Sequence, residues 1–188
     1  VAQMGPQGGY GYNGPGVDVH VTSFQIMALK AARLAKLKVP DQTFQRLRTL
    51  LDNTLNKEGT TNYGIGMHGP TPTRTAVGLY CRLFLDYGNK NPSVILIANR
   101  IRDVEGAQAG NVFYTYSATY GMFQMGDNYW PGWNAKFRDA VISLQDKTEG
   151  PMKGSWPPDM HAAGNRVCTT AVYVMSLEVY YRYLRVYN

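Results

Sequence analysis

The stretch Val21-Thr22-Ser23-Phe24-Gln25-Ile26-Met27-Ala28-Leu29 opens the first strongly helical part of the chain, and its Thr-Ser pair has counterparts downstream. Thr75-Ala76, Ser117-Ala118 and Thr170-Ala171 stand at similar places, separated in turn by 53, 42 and 53 residues. Before three of these pairs runs a loop of glycine and aromatic residues: Gly9-Tyr10-Gly11-Tyr12, Asn62-Tyr63-Gly64-Ile65-Gly66 and Gly154-Ser155-Trp156-Pro157. Tyr10 to Thr22 and Tyr63 to Thr75 are both twelve residues apart. A repeat of this length describes helix pairs that cannot cover their apolar faces alone and must stack on their neighbours.

Working outward, the apolar residues Phe24, Ile26, Met27, Leu29, Leu34 and Leu37 crowd one face between Val21 and Leu37, with Lys30, Arg33 and Lys36 opposite. The Gly/Pro/Asn-rich segment from Gly8 to Gly16 disfavours helix, because glycine is entropically costly there and proline lacks a donor. A second helix is predicted from Asp41, as its N-cap, to about Leu55, and a third from Thr71-Pro72-Thr73 to the Gly88 break. A fourth runs from Pro92 to about Val104. Val112–Met125, rich in aromatics and Thr, reads as helix by its length. Trp133 to Gln145 and Arg166 to about Tyr187 complete about seven helices in an all-α chain.

With 188 residues and 44% hydrophobic composition, residues 1–188 form one domain, expected to belong to a longer chain because they open inside a glycine-rich loop without an initiator Met. The formal charge of +6 is scattered over Lys30, Arg33, Lys36, Arg46, Arg82, Arg100, Lys136 and Arg182, which reads as solvated helix faces and not as a nucleic-acid footprint. No apolar run approaches the ~20 residues of a membrane span, and the first residues carry no signal-peptide pattern, so a soluble chain of open compartment is expected. Cys81 and Cys168 lie in apolar helical patterns and leave the redox question open.

The glycine-aromatic loops and repeated hairpins resemble the squalene-hopene cyclase and protein prenyltransferase superfamily over most of the chain. Leu144-Gln145 followed by Gly154-Ser155-Trp156 is similar to a stretched form of its Gln-Trp repeat motif. Val21 to Leu29 and Thr169 to Glu178 look like inner helices of bacterial cyclase-like repeat proteins, as does the ending Leu177-Glu178-Val179-Tyr180-Tyr181-Arg182-Tyr183-Leu184. The resemblance implies an α/α toroid, a partial or complete ring of helical hairpins.

It also implies where chemistry would sit. Asp18-Val19-His20-Val21-Thr22 occupies the place of the cyclases' Asp-x-Asp-Asp-Thr acid motif, which makes Asp18 and His20 the catalytic candidates. His20 stands where the proton donor should be, and an imidazolium titrating near ~6.5 is a far poorer donor to an alkene than a carboxylic acid near ~4. Asp18 is equally readable as a carboxylate at a helix N-terminus. No cofactor is called for; zinc is the alternative, held by Asp18 and His20 with His161 or Cys168. Phe113, Tyr114, Tyr116, Tyr120, Trp130 and Trp133 are the expected lining of a cleft for an apolar or extended ligand, with Trp156 from the last loop. Tyr10, Tyr12, Tyr63 and Trp156 also suit a structural role, burying their rings to clip one hairpin on the next. His68 reads as a solvent-facing turn residue, and Glu178 with Arg182 as an i, i+4 ion pair. The expectation is a binding or scaffolding module, with an isoprenoid-processing enzyme of cyclase or prenyltransferase type as the alternative. An incomplete ring leaves an apolar hairpin face, which makes a homo-oligomer a further expectation.

Overall fold

The computed structural model describes residues 3–67, 69–126 and 128–182, apart from the side chains of Tyr180 and Arg182. His68 and the Glu178–Arg182 pair therefore lie outside what it describes. The described residues hold seven α-helices of nine or more residues: α1 (Val19–Leu34), α2 (Asp41–Thr54), α3 (Pro72–Phe84), α4 (Pro92–Arg100), α5 (Val112–Met125), α6 (Trp130–Ser143) and α7 (Arg166–Leu177). A π turn over Ile101–Glu105 extends α4, and the four-residue α8 (Val179–Arg182) follows α7. The fold is all-α, with one small exception. The glycine-rich opening forms an antiparallel hairpin of β1 (Gly9–Gly11) and β2 (Gly14–Gly16), with Tyr10 opposite Pro15. None of the described helices is long and apolar enough to cross a membrane.

The helices form two layers. The odd-numbered helices pack in series, α1 on α3, α3 on α5 and α5 on α7, while α2 and α4 back α3, and α6 backs α5. α5 is central and buried nearly all round, which is why its sequence shows no polar face and so little helical periodicity. The α3–α5 interface is the closest, because Gly121 admits Leu79: a Cβ at Gly121 would lie 2.6 Å from Leu79 Cδ2.

One device recurs in all four odd-numbered helices. Their N-caps are Asp18, Thr71, Asn111 and Asn165, and each side chain accepts a first-turn amide. Four residues after each cap stands a fully buried threonine: Thr22, Thr75, Thr115 and Thr169. Its amide donates to the cap carbonyl at 2.8 to 3.0 Å, as in any α-helix. Its hydroxyl bonds the loop arriving from the previous repeat. Thr22 Oγ1 accepts from Tyr10 N at 2.9 Å, Thr75 Oγ1 from Thr61 N at 3.3 Å, and Thr169 Oγ1 from Asp159 N at 3.0 Å. Thr115 Oγ1 instead donates to Gln108 O at 2.9 Å. The repeat is thus cap-x-x-x-Thr. Its register differs from the expected one at Ser117, where Thr115 takes the place; in α7 Thr169 stands at the cap-plus-four position, and the neighbouring Thr170 Oγ1 accepts from Trp156 N at 3.1 Å.

Other expectations shift. α1 starts at Val19 and stops at Leu34, since Lys36 takes a left-handed φ of 61° and ends the turn. Pro40 and not Asp41 caps α2, and α6 begins at Trp130, with proline in its first turn. Tyr10 and Trp156 are buried as clips, but Tyr12 is 81% exposed. Arg82 is no solvated residue: it is fully buried on α3, donating to Leu51 O at the end of α2 (2.5 Å) and to Gly78 O (3.0 Å). Arg48 of α2 returns the contact by donating to Leu85 O at the end of α3. Each helix thereby lends a cation to the negative end of the other.

Thr22→Val keeps the shape of the clasp but leaves the Tyr10 amide unpaired, an expected cost of about 1–3 kcal/mol. Thr22→Ser keeps the hydroxyl and should cost less. Denaturant unfolding of both variants checks this, and equal losses would mean that the hydroxyl is not the active part.

Candidate functional site at the mouth of the helix row

The first turns of α1, α3 and α5 meet at one end of the row. Their cap and cap-plus-two residues, Asp18 and His20, Thr71 and Thr73, Asn111 and Phe113, line a single cavity of about 410 Å³. Because the caps occupy equivalent positions, residues far apart in sequence arrive at the same wall. Three loops complete the lining with Tyr12 from the β1–β2 turn, Tyr63 from the segment before α3, and His161 from the short turn before α7; Arg74 adds to it from the first turn of α3.

Asp18 is the anchor of this wall. Its Oδ1 accepts from the amides of His20 (2.7 Å) and Val21 (3.1 Å), and its carboxylate also receives the Tyr63 hydroxyl. That hydrogen bond, followed by burial and the nearby negative charge, raises the Tyr63 pKa above its ordinary value. Tyr63's carbonyl accepts from Val19 N at 3.0 Å, so the loop is fastened at both ends of the residue. The Arg74 guanidinium lies 5.0 Å from the Tyr63 ring centroid and donates to Gly69 O.

His20 packs between aromatic rings, stacked on Phe24 at 5.7 Å and edge-on to Phe113 at 5.3 Å. Burial holds it below its ordinary 6.5; the Asp18 carboxylate opposes that shift, and Arg74 adds to it. The shift favours the neutral imidazole. His161 is oriented by Asp159, whose Oδ1 meets its Nδ1 at 2.9 Å and accepts from its backbone amide at 2.7 Å. The other Asp159 oxygen accepts from Val112 N, the first amide of α5, at 2.9 Å.

Asp18, His20 and His161 thus share one cavity. Among the described residues, however, no three His, Cys, Asp or Glu side chains are gathered in position for a metal ion. Two of the three are already engaged, Asp18 by amides and the Tyr63 hydroxyl, His161 by Asp159. Cys168 does not line this cavity, and both cysteines are free thiols.

The expected aromatic lining separates into four neighbourhoods, because its members lie on different faces of α5, on α6 and in the loop before α7. Tyr114, Trp130 and Trp133 fill the α5–α6 interface, with Tyr114 6.4 Å from Trp133 and its hydroxyl donating to Gly106 O, and with Trp133 Nε1 donating to Thr119 Oγ1. Trp133 also borders a cavity of about 220 Å³ with Arg102, Tyr129 and Lys136. Tyr116 and Tyr120 join Tyr80 and Phe84 on the opposite side, where Phe84 and Tyr120 stack at 5.1 Å. Trp156, 3% exposed, donates from Nε1 to Val141 O and packs on Tyr173. It borders a second cavity of about 370 Å³, with Pro157, Pro158, Met160, Tyr173 and again His161. Of the expected aromatics, Phe113 alone reaches the cavity that holds Asp18 and His20. Sequence reasoning missed Thr73, Arg74, Asn111 and Asp159; the signal for Asn111 was its cap position before α5, and for Thr73 the cap-plus-two spacing.

Comparison of the chain with protein-family models, with curated proteins and with solved structures found no match.

The depressed His20 pKa has a definite sign. Below 6.5 the unfolded chain binds a proton that the folded chain refuses, so stability falls as pH drops from 6.5 through the folded value. His20→Phe, which keeps a ring between Phe24 and Phe113, should flatten this part of the profile. Urea unfolding between about pH 8 and 5 measures it, and an unchanged slope in the variant would place the titration elsewhere.

Proposed function

We propose that the chain is a helical-repeat binding module, part of an α/α toroid, whose ligand occupies the cavity between the first turns of α1, α3 and α5. The serial stacking of the odd-numbered helices supports the toroid reading. One observation carries the functional one: three successive repeats direct their cap and cap-plus-two residues into one cavity of about 410 Å³, within the ~300–1,000 Å³ of small-molecule sites. His161 stands on both this cavity and its 370 Å³ neighbour, which suits an extended ligand lying across the two.

The alternative, an isoprenoid-processing enzyme, needs a strong acid or an activated metal at this mouth. The bias of His20 toward its neutral form, and the Asp18 carboxylate spent on two amides and a tyrosine, support binding over proton-initiated cyclisation.

Amide chemical-shift mapping with a library of small polar and aromatic fragments tests the site. Shifts are expected to cluster at His20, Thr73, Asn111 and His161. Fragments that gather at other residues, or none that bind, would refute the proposed site. Incubation with squalene and isoprenoid diphosphates should give no product; turnover abolished by Asp18→Ala would establish the enzyme reading instead.

A further inference from the structure

We infer that the ligand class of this site is a neutral saccharide chain, an inference that rests on the cavity being the binding site. The fixed charges on the wall are opposite in sign. Asp18 is an acceptor, Arg74 a donor, and burial of His20 between Phe24 and Phe113 favours its neutral form. A wall of this kind gives no net pull to an anion or a cation, and it rewards a ligand carrying donors and acceptors together.

Three chemistries compete for such a space. A phosphate or carboxylate would use free amides at helix N-termini, but here the caps take part of that set on each helix: Asp18 takes His20 N and Val21 N, Thr71 takes Arg74 N, and Asn111 takes Tyr114 N. The Asp18 carboxylate would also repel it. Asn111 Nδ2 already donates to Thr73 Oγ1, but an isoprenoid tail would still desolvate the Asp18 carboxylate and the Arg74 guanidinium without offering them a hydrogen bond, at a cost of several kcal/mol. A pyranose ring satisfies both demands. Its hydroxyl rim meets the polar groups, and its C–H face meets an aromatic ring.

The aromatic surfaces are where such a ring needs them. Phe113 and Tyr63 are half-buried on the cavity wall, and Tyr12 projects from the β1–β2 turn with 81% of its surface exposed. An exposed tyrosine at a hairpin tip, on the rim of a polar cavity, is a platform for a further sugar unit. Beyond His161, the second cavity continues with Trp156, Pro157, Pro158 and Tyr173, mostly apolar, which suits the flat face of a following ring.

The test titrates the full chain with neutral glucose, mannose, xylose and N-acetylglucosamine oligomers, and separately with inorganic phosphate and farnesyl diphosphate, followed by calorimetry and amide shifts. The expected result is saturable binding of at least one neutral oligomer, with shifts at His20, Asn111 and Phe113. Tyr12→Ala, at an exposed position whose loss leaves the melting temperature unchanged, should weaken that binding about tenfold. Arg74→Gln should weaken it as well. Binding unaffected by both variants overturns the inference. So does binding of phosphate or farnesyl diphosphate alone at these residues, or a cavity that accepts the fragment library but none of the oligomers; in both cases the proposed site survives. If neither fragments nor oligomers perturb the cavity, site and ligand class fall together.

Discussion

The buried threonine hydroxyl four residues into each odd-numbered helix is the contact on which the rest of the structure depends. A helix end normally leaves its first amides to be satisfied locally, and the caps do so here. The threonine adds a second connection that is not local. It reaches the backbone of the loop that precedes the helix, and so fixes where each repeat begins relative to its own approach. Without that bond, the incoming amides of Tyr10, Thr61 and Asp159 would be buried with no partner. The β1–β2 hairpin, the Tyr63 loop and the turn holding His161 are all placed by the same kind of bond, and they are the three loops that complete the cavity.

Much of the fold was legible because it is written in apolar periodicity. Most of the helices sit close to where Leu, Ile, Val and Phe recur on one face, whereas α5, buried nearly all round, was legible only by its length. What escaped was set by partners distant in sequence. The pairing of Gly9–Gly11 with Gly14–Gly16 leaves no alternation to read in so short and glycine-rich a segment. The register slipped at Ser117 because small hydroxyl residues close in sequence look alike until one sees which of them meets the incoming loop, as Thr115 does at Gln108 O. Arg82 was misplaced for a related reason: a single basic residue in a scattered set carries no mark of burial, and only the nearness of the α2 C-terminus makes its place tolerable.

The site was half legible. Asp18 and His20 stand out in sequence, and both do line the cavity, but their roles follow from geometry that sequence does not carry. Asp18 is spent on the first turn of α1, and His20 is wedged between Phe24 and Phe113. The aromatic residues misled more thoroughly, because counting rings along α5 ignores that Phe113, Tyr116 and Tyr120 follow one stripe while Tyr114 faces α6. A helix surrounded on all sides spends most of its aromatics on its neighbours.

Asp159 gives this arrangement a mechanical property. Its two oxygens hold, on one side, the imidazole of His161 at the rim and, on the other, the first amide of α5, while its own amide hangs from Thr169 of α7. The rim and the seam between two repeats are therefore joined through a single carboxylate. Whatever coupling this carboxylate carries between His161 and the α5–α7 junction is reciprocal: its size is the same whether it is felt at the rim or at the seam.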